Sequence, residues 1–236
     1  MASDRPSGRS FASILLMRRI FRDRQDAGVQ LAAELAPHAN DPSMLVLGLP
    51  RGGVPVAYEV ARALHVPLDV FVVRKLGVPG HRELAMGAIA SGGVRVLNRD
   101  VIESLQINEP IIDAVAAYEQ KELERQQRAY RGDVPFPDLG GRTVIIVDDG
   151  LATGSTMRAA VRALRQSGPA RIVVAVPVGA AETCRSLRAE ADKVVCATVP
   201  RDFQAVSLWY DEFSQTTDQE VRNLLEAAAA HDAPAR

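Results

Sequence analysis

An α/β fold, a mostly parallel sheet with helices on both faces, is predicted from three observations. Short unbroken apolar runs rich in β-branched residues recur at Met44-Leu45-Val46-Leu47, Val144-Ile145-Ile146-Val147 and Ile172 to Val176. Such runs suit strands buried on both faces of a parallel sheet. Helical spacing separates them, so strand and helix alternate along the chain. Two of the strands also run into glycine turns followed at once by a helix, a geometry that presents backbone amides and a helix N-terminus to an anion.

Composition sets the class. The 236 residues are 47% hydrophobic and 24% charged, with a formal net charge of −1. That balance is ordinary for a globular domain and leaves no broad basic footprint for nucleic acid. No apolar run reaches membrane-spanning length. The opening MASDRPSGRSFASILLMRRIF lacks an apolar segment followed by a cleavage site, which argues against a secretory signal. Cys184 and Cys196 lack metal-ligand spacing, so buried free thiols in a reducing cytoplasm are expected.

Taken in order, residues 1–12 are polar and are expected to form a disordered tail, with residues 13–236 a single domain. Residues 13–36 carry helical spacing through Phe21, Ala27, Leu31 and Leu35, ended by Pro37. The Phe21-Arg22-Asp23-Arg24 turn reads as a solvated charged start; the alternative is a role in covering the site. Asn40-Asp41-Pro42 turns the chain into the strand at Met44. Gly48-Leu49-Pro50-Arg51-Gly52-Gly53 then opens a helix over 54–64. Leu68 to Val73 is a third strand, with Arg74 and Lys75 at its end, where ligands gather in open α/β sheets. Leu76 to Glu83 reads as a mobile loop. Met86 to Ala90 and Val94 to Leu97 read as a hairpin across Ser91-Gly92-Gly93. Residues 98–131 form a helical insert, with Asn98 or Asp100 capping one helix and Glu109-Pro110 opening another. Residues 132–141 link into the strand at Val144. After a helix stopped at Gly168-Pro169 come strands over 171–176 and 193–199, a helix over 180–189 between them, and a last helix over 217–230.

The centre of the chain is Thr143 to Thr156, TVIIVDDGLATGST. Its turn has glycines for close backbone approach and three hydroxyls, Thr153, Ser155 and Thr156. It lacks the lysine of a Walker A loop and the spacing of a dinucleotide fold. Asp148 and Asp149 would repel a phosphate unless they face something else. Vicinal sugar hydroxyls fit, and so does a bridging Mg²⁺. A capped helix start is the plainer alternative, but it leaves the two acids unexplained.

VIIVDDGLATGST resembles the phosphoribosyl pyrophosphate (PRPP) motif of type I phosphoribosyltransferases, with Ala152 where many members carry threonine. The resemblance covers residues 44–200. It implies a type I phosphoribosyltransferase-like fold with a small C-terminal hood over 200–236. It also implies transfer of ribosyl 5-phosphate from PRPP to a nitrogenous base, with Mg²⁺ and release of pyrophosphate. Asp148 and Asp149 would then hold the ribose diol and the metal, and Ala152, Thr153, Gly154, Ser155 and Thr156 the 5-phosphate. Arg51, Gly52 and Gly53 match the form of the pyrophosphate loop; the alternative is a tight βα turn. Arg74 and Lys75 are catalytic candidates at the leaving group, with His81 and Arg82 behind them. Phe203, Trp209, Tyr210 and Asp211 either contact the base or anchor the C-terminal segment. A cytoplasmic homodimer of nucleotide metabolism is expected, with PRPP and a nucleobase-like acceptor as partners and neither nucleic acid nor membrane. Two other readings are a PRPP- or nucleotide-binding regulator of the same fold and a phosphosugar hydrolase.

Overall fold

The computed structural model describes residues 21–232, so the expected tail over 1–12 and the first part of the 13–36 helical segment lie outside the described residues. Helix α1 spans Arg24–Leu35, and the Asp23 side chain caps it by accepting from the Asp26 amide at 2.8 Å. Strand β1 (Met44–Gly48) leads into α2 (Gly53–Leu64), and β2 is Leu68–Val70. Strands β3 (Val73–Val78), β4 (His81–Ala90) and β5 (Val94–Leu97) precede helices α3 (Arg99–Ser104) and α4 (Glu109–Arg131). Then follow β6 (Thr143–Val147), α5 (Ser155–Gln166), β7 (Arg171–Val178), α6 (Ala181–Leu187), β8 (Lys193–Thr198) and α7 (Asp218–Asp232).

Five strands pair in parallel in the order β2-β1-β6-β7-β8. Because successive strand side chains point to opposite faces, the apolar runs cover both. Val46 and Ile145 pack with Leu31, Leu35 and Val60 under α1 and α2. Leu45, Leu47, Val144 and Ile146 pack with Met157, Val161 and Leu164 of α5. The predicted fold class is the one observed.

Two local readings change. The strand expected over 68–73 divides after Val70, because the chain leaves the parallel sheet there. The Phe71 amide still donates to the Gly48 carbonyl at 3.0 Å, whereas Val72 is stitched to buried Ser91, accepting from its amide at 2.9 Å and donating to its hydroxyl at 3.0 Å. The segment expected as a mobile loop over 76–83 is instead strand on both sides of a Pro79-Gly80 turn, within an antiparallel β3-β4-β5 sheet. Leu76 and Val78 are buried there with Met86 against Ile112 and Leu123 of α4. The helical insert thus covers the second sheet.

The cysteine expectation is also corrected. Helix α6 lies on β8 with the Cys184 and Cys196 Cα atoms 6.8 Å apart, and the two residues form a disulfide. The cysteine argument for a reducing compartment therefore falls away. Among the described residues no helix is long and apolar enough to cross a membrane.

Candidate active site

Strands β1 and β6 are neighbours in register, Gly48 opposite Val147, so their C-terminal ends release two loops side by side. Helix α2 returns on one face of the sheet and α5 on the other. This is the switch point of an open α/β sheet, where the two connections diverge and leave a crevice. The loops touch through glycine. A Cβ on Gly52 would run into the Asp149 carboxylate. One on Gly53 would stand 2.6 Å from the Val147 carbonyl oxygen and 2.9 Å from the Asp148 Cα. The Leu49 amide donates to the Val147 carbonyl at 2.9 Å, tying the two loop roots together. The Pro50–Arg51 peptide is cis.

The turn after the acids is pinned from β7. Leu151 donates to the Val178 carbonyl, and Ala180 donates back to the Leu151 carbonyl, both at 2.9 Å. Gly154 has φ +71°, a left-handed conformation that glycine adopts at no steric cost. The Thr183 hydroxyl donates to the Ala152 carbonyl at 2.7 Å. Ala152, Thr153, Ser155 and Thr156 are exposed at the start of α5, where the Ser155 amide donates to the Thr153 hydroxyl at 3.5 Å and the first-turn amides lack intrahelical acceptors.

Asp148 and Asp149 are part-buried where these loops meet. Burial raises the Asp148 carboxyl well above the ordinary range, and the neighbouring Asp149 charge adds to that. Burial raises Asp149 too, with the Arg24 guanidinium opposing the shift. Arg24 Nε donates to Asp149 Oδ2 at 2.8 Å, and both side chains are largely covered. The charged turn expected to be solvated thus places one arginine in the site. The acids also differ from a metal-binding pair. Asp149 Oδ2 is engaged by Arg24, and Asp148 Oδ1 accepts from the Asp149 amide at 2.9 Å. Among the described residues no group of three or more His, Cys, Asp or Glu is arranged to hold a metal ion. The Arg24 guanidinium already seated on Asp149 is what argues against a resident Mg²⁺ at the pair.

The predicted cations approach from other elements. Arg51 Nη1 lies 3.7 Å from Asp218 Oδ1 at the start of α7, and Asp218 Oδ1 in turn accepts from the Tyr130 hydroxyl of α4 at 2.8 Å. Arg74 gives Nε and Nη2 to Glu119 Oε2 of α4 at 2.8 and 2.6 Å. Lys75 Nζ reaches the Ser155 hydroxyl at 3.4 Å. A cavity of about 780 Å³ opens here, lined by Arg74, Lys75, Gly80, Tyr118, Glu119 and Thr156. His81 is exposed at the start of β4.

The family profile described as "Phosphoribosyl transferase domain" matches residues 81–211. The chain belongs to the phosphoribosyl transferase family. A Mycobacterium tuberculosis (strain ATCC 25618 / H37Rv) protein, provisionally named phosphoribosyl transferase Rv0571c, is 47% identical over 210 residues. The match spans 89% of this chain and 47% of that protein. The chain therefore spans about half the length of the curated relatives it matches over most of its length. The "Bifunctional protein PyrR" of Roseiflexus sp. (strain RS-1) is 49% identical over 132 residues, 51% of this chain and 62% of that protein. The crystal structure of TT1426 from Thermus thermophilus superposes with a TM-score of 0.77 at 44% identity, covering 87% of this chain and 97% of that one.

In this chain the segment after β8 crosses back over the loop. Val206 lies where a Cβ on Gly150 would have to go. The described N-terminus joins it: the Phe21 amide donates to the Trp209 carbonyl, and the Asp211 amide to the Phe21 carbonyl. Trp209 is 7% and Tyr210 2% exposed. The Tyr210 ring lies among Phe21 and Phe213, at centroid distances of 5.3 and 4.8 Å, and its hydroxyl donates to the Asp149 carbonyl at 2.6 Å. Of the two readings for these aromatics, burial gives Trp209 and Tyr210 the anchoring one and removes them as open stacking platforms. Phe203 is half-buried at the edge of the same cluster, and Asp211 is exposed. Sequence reasoning missed Arg24, Thr183 and the buttressing role of Tyr210. Nothing in the local pattern marks a contact 125 residues away, although an aromatic beside the Arg22 and Arg24 pair was a hint that the turn packs.

Proposed function

We propose that this chain transfers the ribosyl 5-phosphate group of PRPP to a ring nitrogen of a nucleobase-like acceptor. The C1–N bond forms, the C1–O bond to pyrophosphate breaks, and the acceptor's N–H proton passes to water. The observation that carries the reading is the contact between the two loops. Glycines at 52 and 53 bring an anion-type loop directly against an acid pair that leads into a hydroxyl-rich helix start. In this reading Asp148 and Asp149 accept hydrogen bonds from the ribose diol, while the amides and hydroxyls of residues 152–156 hold the 5-phosphate. Arg51, Arg74, Lys75 and the amides of Gly52 and Gly53 face the charge that grows on the leaving pyrophosphate. Fixed donors aimed at developing charge are the largest kind of catalytic contribution. PRPP enters as its Mg²⁺ complex, the metal carried on the substrate's diphosphate rather than by the acids.

In-line displacement sets the side of the acceptor. The β1 loop lies on one flank of β6, so the acceptor enters from the β7 flank, beneath the 203–211 segment. Phe203 and Asp211 are the base contacts on this reading. The test is pyrophosphate release from PRPP and Mg²⁺ across purines, pyrimidines, orotate and nicotinate, with a no-base control. Release with one acceptor supports transfer, whereas failure of PRPP to bind by calorimetry overturns it. A second reading, a PRPP- or nucleotide-binding regulator, is favoured by the similarity to a protein named bifunctional. It predicts PRPP binding without release for any base.

A further inference from the structure

Arg24 stands at the centre of the site without having been placed there by any motif. Its Nε donates to Asp149 Oδ2 at 2.8 Å, and the two side chains are 12% and 16% exposed. A Cβ on Gly52 would come within 3.2 Å of the same Nε, so Arg24 lies against Asp149 and the β1 loop together. The guanidinium is fixed from its far side. Nη1 donates to the Ser214 carbonyl at 2.7 Å, and the Phe213 ring centroid lies 3.9 Å from its central carbon. Both anchors belong to the C-terminal segment, while Arg24 opens α1. Beyond Arg24, a cavity of about 320 Å³ is lined by Asp23, Glu212 and Glu220. A guanidinium released from Asp149 therefore still has carboxylates beside it.

We infer that Arg24 is a built-in counter-cation for the acid pair, filling the seat at Asp149 that a divalent ion would otherwise take. A planar guanidinium held by a carbonyl and an aromatic face is pre-organised, so little side-chain freedom is lost in keeping it there. A divalent cation at Asp149 would sit within a few ångströms of that fixed positive charge and be repelled by it. A neutral sugar hydroxyl would not. Arg24 thereby makes the pair selective for a diol over a free metal ion. The diol half of this statement rests on the proposed transferase reading; the metal half does not.

The experiment titrates Mn²⁺ alone, without PRPP or acceptor, into the full chain and reads bound metal by electron paramagnetic resonance. Wild type, Arg24→Gln, Arg24→Lys, Asp149→Asn and the Arg24→Gln/Asp149→Asn double variant are compared, with melting curves to establish folding. The expected result is no Asp149-dependent Mn²⁺ site in wild type or Arg24→Lys. In Arg24→Gln, affinity should be at least tenfold tighter and lost in the double variant. The inference is overturned if folded Arg24→Gln binds Mn²⁺ no better than wild type. It is equally overturned if wild type already binds Mn²⁺ and Asp149→Asn weakens that binding tenfold. Should Arg24→Gln not fold, the comparison of wild type with Asp149→Asn decides alone: equal metal binding upholds the inference and a tenfold drop ends it. A negative pyrophosphate-release panel leaves all these titrations readable, so the two claims fail separately.

Discussion

Gly53→Ala is the sharpest probe of the contact between the two loops. Its new methyl would stand 2.6 Å from the Val147 carbonyl oxygen, where ordinary contact begins near 3.4 Å, so about 0.8 Å of relief is needed. Neither obstacle is a side chain that can swing aside, because the second, at 2.9 Å, is the Asp148 Cα. Relief must come from moving the β1–α2 junction away from the end of β6. Overpacking of this kind costs about 1–3 kcal/mol. At roughly 2–4 °C per kcal/mol for a chain of this size, the melting temperature should fall by about 2–12 °C. The functional loss should be larger. A shift approaching 1 Å between groups that must act together costs on the order of 100-fold in rate. Differential scanning fluorimetry reads the first effect, and pyrophosphate release or PRPP calorimetry the second. Gly80→Ala is the control: it sits in open space at φ +81°, so any loss there reflects backbone conformation alone. If Gly53→Ala melts like wild type and binds PRPP within twofold, the two loops are not pressed together as described.

Other expectations follow from single groups. Burial and the Asp149 charge raise the Asp148 carboxyl, so above the ordinary carboxylate range the unfolded chain has ionised while the folded one still holds the proton. Stability therefore falls as pH rises from that range through the raised value. Asp148→Asn should melt above wild type at pH 7, with the gap closing toward pH 4; a lower melting point at pH 7 contradicts the assignment. Thr183→Val keeps the side chain's shape but removes the bond to the Ala152 carbonyl. It should cost about 1 kcal/mol and weaken ribose 5-phosphate binding several-fold by calorimetry, and unchanged binding would show that the loop needs no such support. Tyr210→Phe strips the donor from the Asp149 carbonyl. It should lower the melting temperature by a few degrees through that unpaired acceptor, and an unshifted melt would mean the hydroxyl adds nothing.

The parallel sheet was legible because Val144 to Val147 and Met44 to Leu47 are apolar without interruption, and only a strand covered on both faces tolerates that. The β3–β4 turn was not. Gly77, Pro79 and Gly80 carry the signature of a loop, and the strand signal reduces to two buried residues, Leu76 and Val78, within six positions. The acid pair and its turn were readable as a local chemical pattern. What faces them was not, since Arg24 reaches Asp149 across 125 residues and is fixed by a backbone carbonyl that any residue at 214 would offer. Aromatics near a site look alike in sequence whether they line it or support it. Burial separates Tyr210, at 2% exposed, from half-buried Phe203. The disulfide had no signal at all, because 12 residues of separation say nothing about whether α6 folds back onto β8.

Among the described residues, Arg24, Arg51 and Arg74 around the crevice are each parked on an acid, and their surroundings rank how readily each can turn to an anionic ligand. Arg51 faces Asp218 at 3.7 Å with both side chains over a third exposed. An exposed pair of that kind is worth about 0–1 kcal/mol, so a diphosphate can draw Arg51 away at little cost. Arg74 is closer to its partner, at 2.6 Å, and Glu119 is more covered. Arg24 is held on three sides and is the least exposed of the three. The partners of the first two lead to one element: Glu119 lies on α4, and Tyr130 of α4 donates to Asp218. Eleven residues of helix separate Glu119 from Tyr130, about 16 Å at 1.5 Å per residue. Helix α4 therefore braces Arg51 and Arg74 at two separate points while leaving both able to move. Arg24 is braced by the C-terminal segment and stays. On the proposed transfer reading, a mobile pair suits a group that must arrive and depart as pyrophosphate, and a fixed cation suits acids that keep one role throughout.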